Sequence, residues 1–146
     1  MKKIGSILLI SVIFLLGGCS FLEEANDSIQ YATEATEYIN ELSAFAEETS
    51  SLASEAVDNP EAKGELESSL TSLQDTVTEF NNIEAPSFAE GIHQNLIEKN
   101  QELLDITNNV LENGEVVIEK LQDSEIYQTI DNIRDLKDQV EQLGEI

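Results

Sequence analysis

The side chains of this chain that invite a chemical reading start with His93, its single histidine, and Glu90 three positions earlier. In a Glu-x-x-His pair the carboxylate and the imidazole fall on one helical face, and di-iron helix bundles use two such pairs to hold their metals. One histidine cannot supply two pairs. A zinc site of histidines and cysteines fails on the same count, because Cys19 is the single cysteine. Serines and threonines are plentiful, yet no Gly-x-Ser-x-Gly or Ser-x-x-Lys pattern gives any of them an activating base. No Gly-rich loop is present to cradle a phosphate. The expectation is therefore no enzyme, no cofactor and no metal site, with His93 a boundary residue near the start of a helix.

Cys19 has a different use. Residues 1–18 read as a secretory signal: Met-Lys-Lys, an apolar run from Ile4 to Leu16, then Gly17-Gly18. The run is shorter than the ~20 residues of a spanning helix, and no basic stop-transfer pattern follows it. Leu16-Gly17-Gly18-Cys19 resembles the lipobox of bacterial lipoproteins. That resemblance implies cleavage between Gly18 and Cys19 and a diacylglycerol, with palmitate-type chains, on the Cys19 thiol. A lone cysteine has no disulfide partner inside its own chain. One acyl chain holds a protein only marginally, whereas two or three anchor it stably. The expected division is a signal peptide over 1–18, an anchor and short tether over 19–22, and one acidic domain over 23–146. The expected location is the extracytoplasmic face of the cell membrane.

Loss of residues 1–18 removes Lys2 and Lys3 but none of the 30 acidic groups, which leaves Lys63, Lys99, Lys120, Arg134 and Lys137 and a net charge of −25. A chain this acidic lacks a phosphate-neutralising stripe, which argues against nucleic acid as a partner. Anionic lipid head groups should repel it, so the lipid and not the domain must hold it at the membrane. Glu34, Glu37 and Glu41 follow helical spacing, so divalent cations can bridge them weakly. No Asp-x-Asp-x-Asp-Gly loop is present to make a tight site, and a solvated face is the plainer reading. Self-repulsion should strain the fold, and salt, divalent cations or mild acid should relieve it.

The elements that must carry these residues are helical. From Leu22 to Val57, Asp27, Glu34, Glu41, Glu48 and Glu55 recur every seven residues opposite Ala25, Ala32, Ile39, Ala46 and Ala53. That pattern predicts a long amphipathic, coiled-coil-like helix with a shallow Ala-rich face. Asn59-Pro60 then starts a second helix, with Leu66, Leu70, Leu73, Val77 and Phe80 as its stripe. Ser87-Phe88-Ala89-Glu90 has the form of a capping box for a third, whose stripe is Phe88, Ile92, Leu96, Leu103, Ile106 and Val110. Asn113-Gly114 reads as its C-cap. A fourth helix is expected from about Glu115 to Leu143, with Asp123-Ser124 as a nick; one rod through Gly114 is the second choice. No alternating period-two run and no hairpin dipeptide is recognised, so no sheet is expected.

The fold class expected is all-α: an antiparallel up-and-down bundle of about four helices whose first helix extends beyond the others as a stalk near the membrane. Tyr31, Tyr38 and Phe45 on that helix are the candidate partner-docking residues, since a helix with residues to spare can leave them uncovered. A lipobox followed by some 125 acidic, helical, histidine-poor residues resembles a small family of lipoproteins of spore-forming Gram-positive bacteria known only as a domain of unknown function. The resemblance implies location and class, and no activity. The function expected is a non-enzymatic interaction or spacer module, with capture of cations or basic peptides as the alternative.

Overall fold

In the computed structural model, backbone is described for residues 18–145 and side chains for 26–145. The signal-peptide reading of residues 1–17 lies outside the described residues, and so do the side chains of the anchor and tether. Among the described residues, no helix is long and apolar enough to cross a membrane.

Four helical layers form the expected all-α bundle. Helix α1 runs Gly18–Glu55, α2 Pro60–Asn81 and α3 Glu90–Val110. The fourth layer is broken into α4 (Ile118–Gln122), α5 (Ile126–Arg134) and α6 (Lys137–Leu143). Helix α1 packs on α2, α5 and α6, while α3 packs on α2 and α5. The start of α2 is fixed as the sequence suggests. Asn59 Oδ1 accepts from the backbone N–H groups of Glu61 (3.0 Å) and Ala62 (3.4 Å), and Pro60 occupies the first turn, where it forfeits no hydrogen bond. Leu66, Leu70, Leu73, Val77 and Phe80 are all buried. Each such side chain contributes about 1.5–3 kcal/mol over an exposed one.

Three local expectations are corrected. Asn113-Gly114 does not cap a helix. It is the two-residue loop of a small antiparallel hairpin, β1 (Leu111–Glu112) with β2 (Glu115–Val116), and both loop residues have positive φ, 55° and 85°. Asn-Gly suits this turn because both positions require left-handed backbone. The capping box before α3 does not form, since Ala89 is the N-cap and no side chain caps the helix. Phe88 is 36% exposed and contributes nothing to the core. The inward stripe of α3 is instead Leu96, Asn100, Leu103, Thr107 and Val110, with two polar residues at core positions.

The expected fourth helix is interrupted twice. After Gln122, Ser124 Oγ donates to the Leu121 carbonyl at 2.7 Å and closes the first segment. After Arg134, Leu136 N–H bonds the Ile133 carbonyl, a one-turn tightening that separates α5 from α6. Helix α6 lies along α1, where a Cβ on Gly144 would come 3.2 Å from the Ala32 Cβ. This cover shortens the expected stalk. Helix α1 is packed from Ser28 onward, and of the described side chains only Asn26 and Asp27 precede that point.

Candidate functional site

Two features are built on the α1 seam. The first is an enclosed aromatic and amide cluster. Tyr31 and Tyr38, one heptad apart on α1, meet His93 and Asn100, one heptad apart on α3. The Tyr31 hydroxyl and His93 Nδ1 share a hydrogen bond of 3.0 Å, and the Tyr38 hydroxyl donates to Asn100 Oδ1 at 2.5 Å. Asn100 Nδ2 then donates to Asn81 Oδ1 at 2.7 Å. Phe80 binds the two halves: it stacks on Tyr38 with centroids 4.0 Å apart and lies 5.6 Å from the His93 ring.

Burial governs the proton chemistry of this cluster. It pushes the Tyr31 hydroxyl up to about 12. It pushes Tyr38 up as well, against a smaller opposing pull from the Asn100 hydrogen bond. It holds His93 below its ordinary range, so the ring is neutral at physiological pH. Every buried side-chain nitrogen or oxygen among the described residues has a partner. Such an assembly specifies how α1 and α3 align.

Tyr31 and Tyr38 are therefore not an uncovered docking face. They are 2% and 4% exposed, because α3 and the end of α2 cover the side of α1 they occupy. Phe45 is half-buried and lines a surface groove. Gly18 and Cys19 lie in the first turn of α1 by their backbone. Glu90 is exposed, and among the described residues no three histidine, cysteine or acidic side chains are grouped to hold a metal ion.

The groove is the second feature. It follows the α1–α2 seam as a run of adjoining concavities of about 630, 410 and 280 Å³. The first two share Glu41 and Thr76, and the last two share Glu34. On α1 its lining includes Glu34, Glu37, Glu41 and Glu48 together with the half-buried Phe45 and Leu52 and the buried Tyr38 and Leu42. The facing wall on α2 includes Ser68, Ser69, Ser72 and Thr76, together with Glu65 and the buried Leu73 and, farther along, Glu79 and Phe80. Small hydroxyl residues there leave open a space that leucines would fill.

No basic residue lines these three concavities. Lys63, Lys99, Lys120, Arg134 and Lys137 are each engaged elsewhere in an ion pair with a neighbouring carboxylate. Among the described residues, the carboxylates of the groove thus meet no counter-charge. Sequence reasoning missed Asn81, Asn100 and the serine wall. Asn100 was detectable as a polar residue four after Leu96 and three before Leu103, whereas nothing local marks the serines as one side of a groove.

A family of unknown function (DUF6376) matches residues 31–143. The chain is also similar to the uncharacterized lipoprotein YybP of Bacillus subtilis (strain 168), at 36% identity over 132 residues, 88% of this chain and 89% of that protein. No solved structure matches it.

Proposed function

Because the chain belongs to the DUF6376 family, whose function is unknown, we propose for it a role its relative's description shares only in outline: a lipoprotein whose bundle is a non-enzymatic interaction module. Lipid on Cys19 holds it at the extracytoplasmic face of the cell membrane. The similarity to a lipoprotein over nearly the full length of both chains supports the anchor. The observation that carries the interaction role is that one helix serves both ends of the task. Helix α1 carries Cys19 in its first turn and, farther along, forms one wall of an open groove. A rigid helix transmits the position of its lipid end to its groove.

The test is fractionation and crosslinking in cells. Wild-type protein should sediment with membranes and incorporate a labelled fatty acid, and Cys19→Ala should do neither. A photo-crosslinker at Phe45 should capture a discrete partner that the Cys19→Ala chain no longer reaches. Fatty-acid labelling that persists in Cys19→Ala would refute the anchor, and capture of nothing from Phe45 would refute the interaction role in favour of a spacer.

A further inference from the structure

We infer that the α1–α2 groove is the docking site for a basic amphipathic helix of a partner protein; the inference rests on the interaction reading above and names the partner's chemistry.

The groove has the form that such a segment would match. From Glu34 to Leu52 it follows α1 for about 27 Å, the length of about five helical turns. Its open apolar contacts, Phe45 and Leu52, lie seven residues apart, which is the interval at which one face of a docked helix repeats its own anchors. Beside them stand Glu34, Glu41 and Glu48, also seven apart. A helix with apolar residues at three- and four-residue spacing and Lys or Arg at the flanking positions would seat both sets together.

Charge selects among the occupants. A second copy of this chain would bring carboxylates against carboxylates, since the sequence carries a net charge of −23. The chain's own described cations are already paired and none reaches the groove. An uncharged helix would cover Glu41 and Glu48 without compensating them, which costs affinity. A basic amphipathic helix satisfies the floor and the rim at once. The rim should speed encounter and give salt dependence, while the floor should hold the complex at physiological ionic strength.

The experiment uses the full-length lipidated protein in nonionic detergent. The probe is a synthetic peptide of leucine and lysine with leucines at three- and four-residue spacing, compared with a scrambled peptide of the same composition. Empty micelles provide the baseline. The amphipathic peptide should bind saturably at one to one, and the scrambled peptide about tenfold more weakly. Ser72→Leu fills the groove with a good helix former, so it should keep its helical content and lose about tenfold in affinity. Glu41→Gln with Glu48→Gln should lower the affinity about fivefold and flatten its salt dependence.

Equal binding of the two peptides, or unchanged binding by Ser72→Leu, would overturn the inference. Saturable one-to-one uptake of calcium that displaces the peptide would also overturn it, in favour of cation capture. Membrane release by Cys19→Ala is scored separately, so a failed anchor and a failed groove remain distinguishable.

Discussion

Tyr38 and Asn100 meet in the interior, with the tyrosine hydroxyl donating to the asparagine Oδ1 at 2.5 Å, and one heptad earlier on the same two helices Tyr31 meets His93. The equal offset means that α1 and α3 run in the same direction, as alternate helices of an up-and-down bundle do, and meet through these long side chains. The amide of Asn100 is spent on Asn81, so Tyr38 and Asn81 together satisfy the one polar side chain that divides the leucines of α3.

Tyr38→Phe should therefore destabilise the bundle by about 1–3 kcal/mol, because it strips the donor from a buried carbonyl while keeping the ring stacked on Phe80. Tyr38→Phe combined with Asn100→Leu should cost less than the sum of the single changes, since the orphaned carbonyl is gone. Urea unfolding of the four proteins measures this, and strict additivity would contradict the pairing.

His93 gives the fold a pH response in mild acid. Burial holds its pKa below the ordinary 6.5, so the unfolded chain takes up the proton first as pH falls. The contribution is complete above about 6.5 and drains away below it. Protonation of the many carboxylates acts in the opposite sense, so the observable is a difference. The melting temperature of wild type minus that of His93→Gln should shrink between neutral pH and mild acid, and parallel curves would show that the ring is not desolvated in solution.

At the alkaline end Tyr31 acts with the reverse sign. Its pKa rises from 10.0 to about 12, so the folded state keeps a proton that the unfolded chain releases. Stability is whole below pH 10 and falls as pH climbs toward 12. Tyrosinate absorbance, taken as wild type minus Tyr31→Phe, should appear together with loss of helical signal. Ionisation of Tyr31 well before unfolding would count against its burial.

Gly114 sits at φ 85° in the hairpin turn, and a Cβ there would meet nothing within 4 Å. The cost of Gly114→Ala is then backbone strain alone, about 1–2 kcal/mol. The neighbouring residue of the turn is already an asparagine at φ 55°, a residue type that tolerates this region. Chemical denaturation of Gly114→Ala checks the value; no loss of stability would mean that the turn relaxes to another type.

The hairpin has a structural task that its length conceals. Val116 N–H donates to Glu67 Oε1 at 3.0 Å, which ties the turn to α2 and sets where the fourth layer begins. Lys120 pairs with Glu112 across the same corner.

Much of the architecture was legible along the chain because it depends on near neighbours. The 4-3-4-3 stripe from Leu66 to Phe80 and the Asn59-Pro60 start needed only helical geometry and one capping side chain, and both are as the sequence implies. The long first helix was visible from its seven-residue acidic register for the same reason. What tertiary structure alone decided is which face of that helix is covered. Tyr31, Tyr38 and Phe45 share one register, yet the first two are closed in by α3 and the third opens onto the groove, because the residue opposite each differs: His93 and Asn100 at one end, small serines at the other. A heptad fixes the direction of a side chain about its own axis. Only the partner across the seam determines whether that direction ends in a packed interior or in a site.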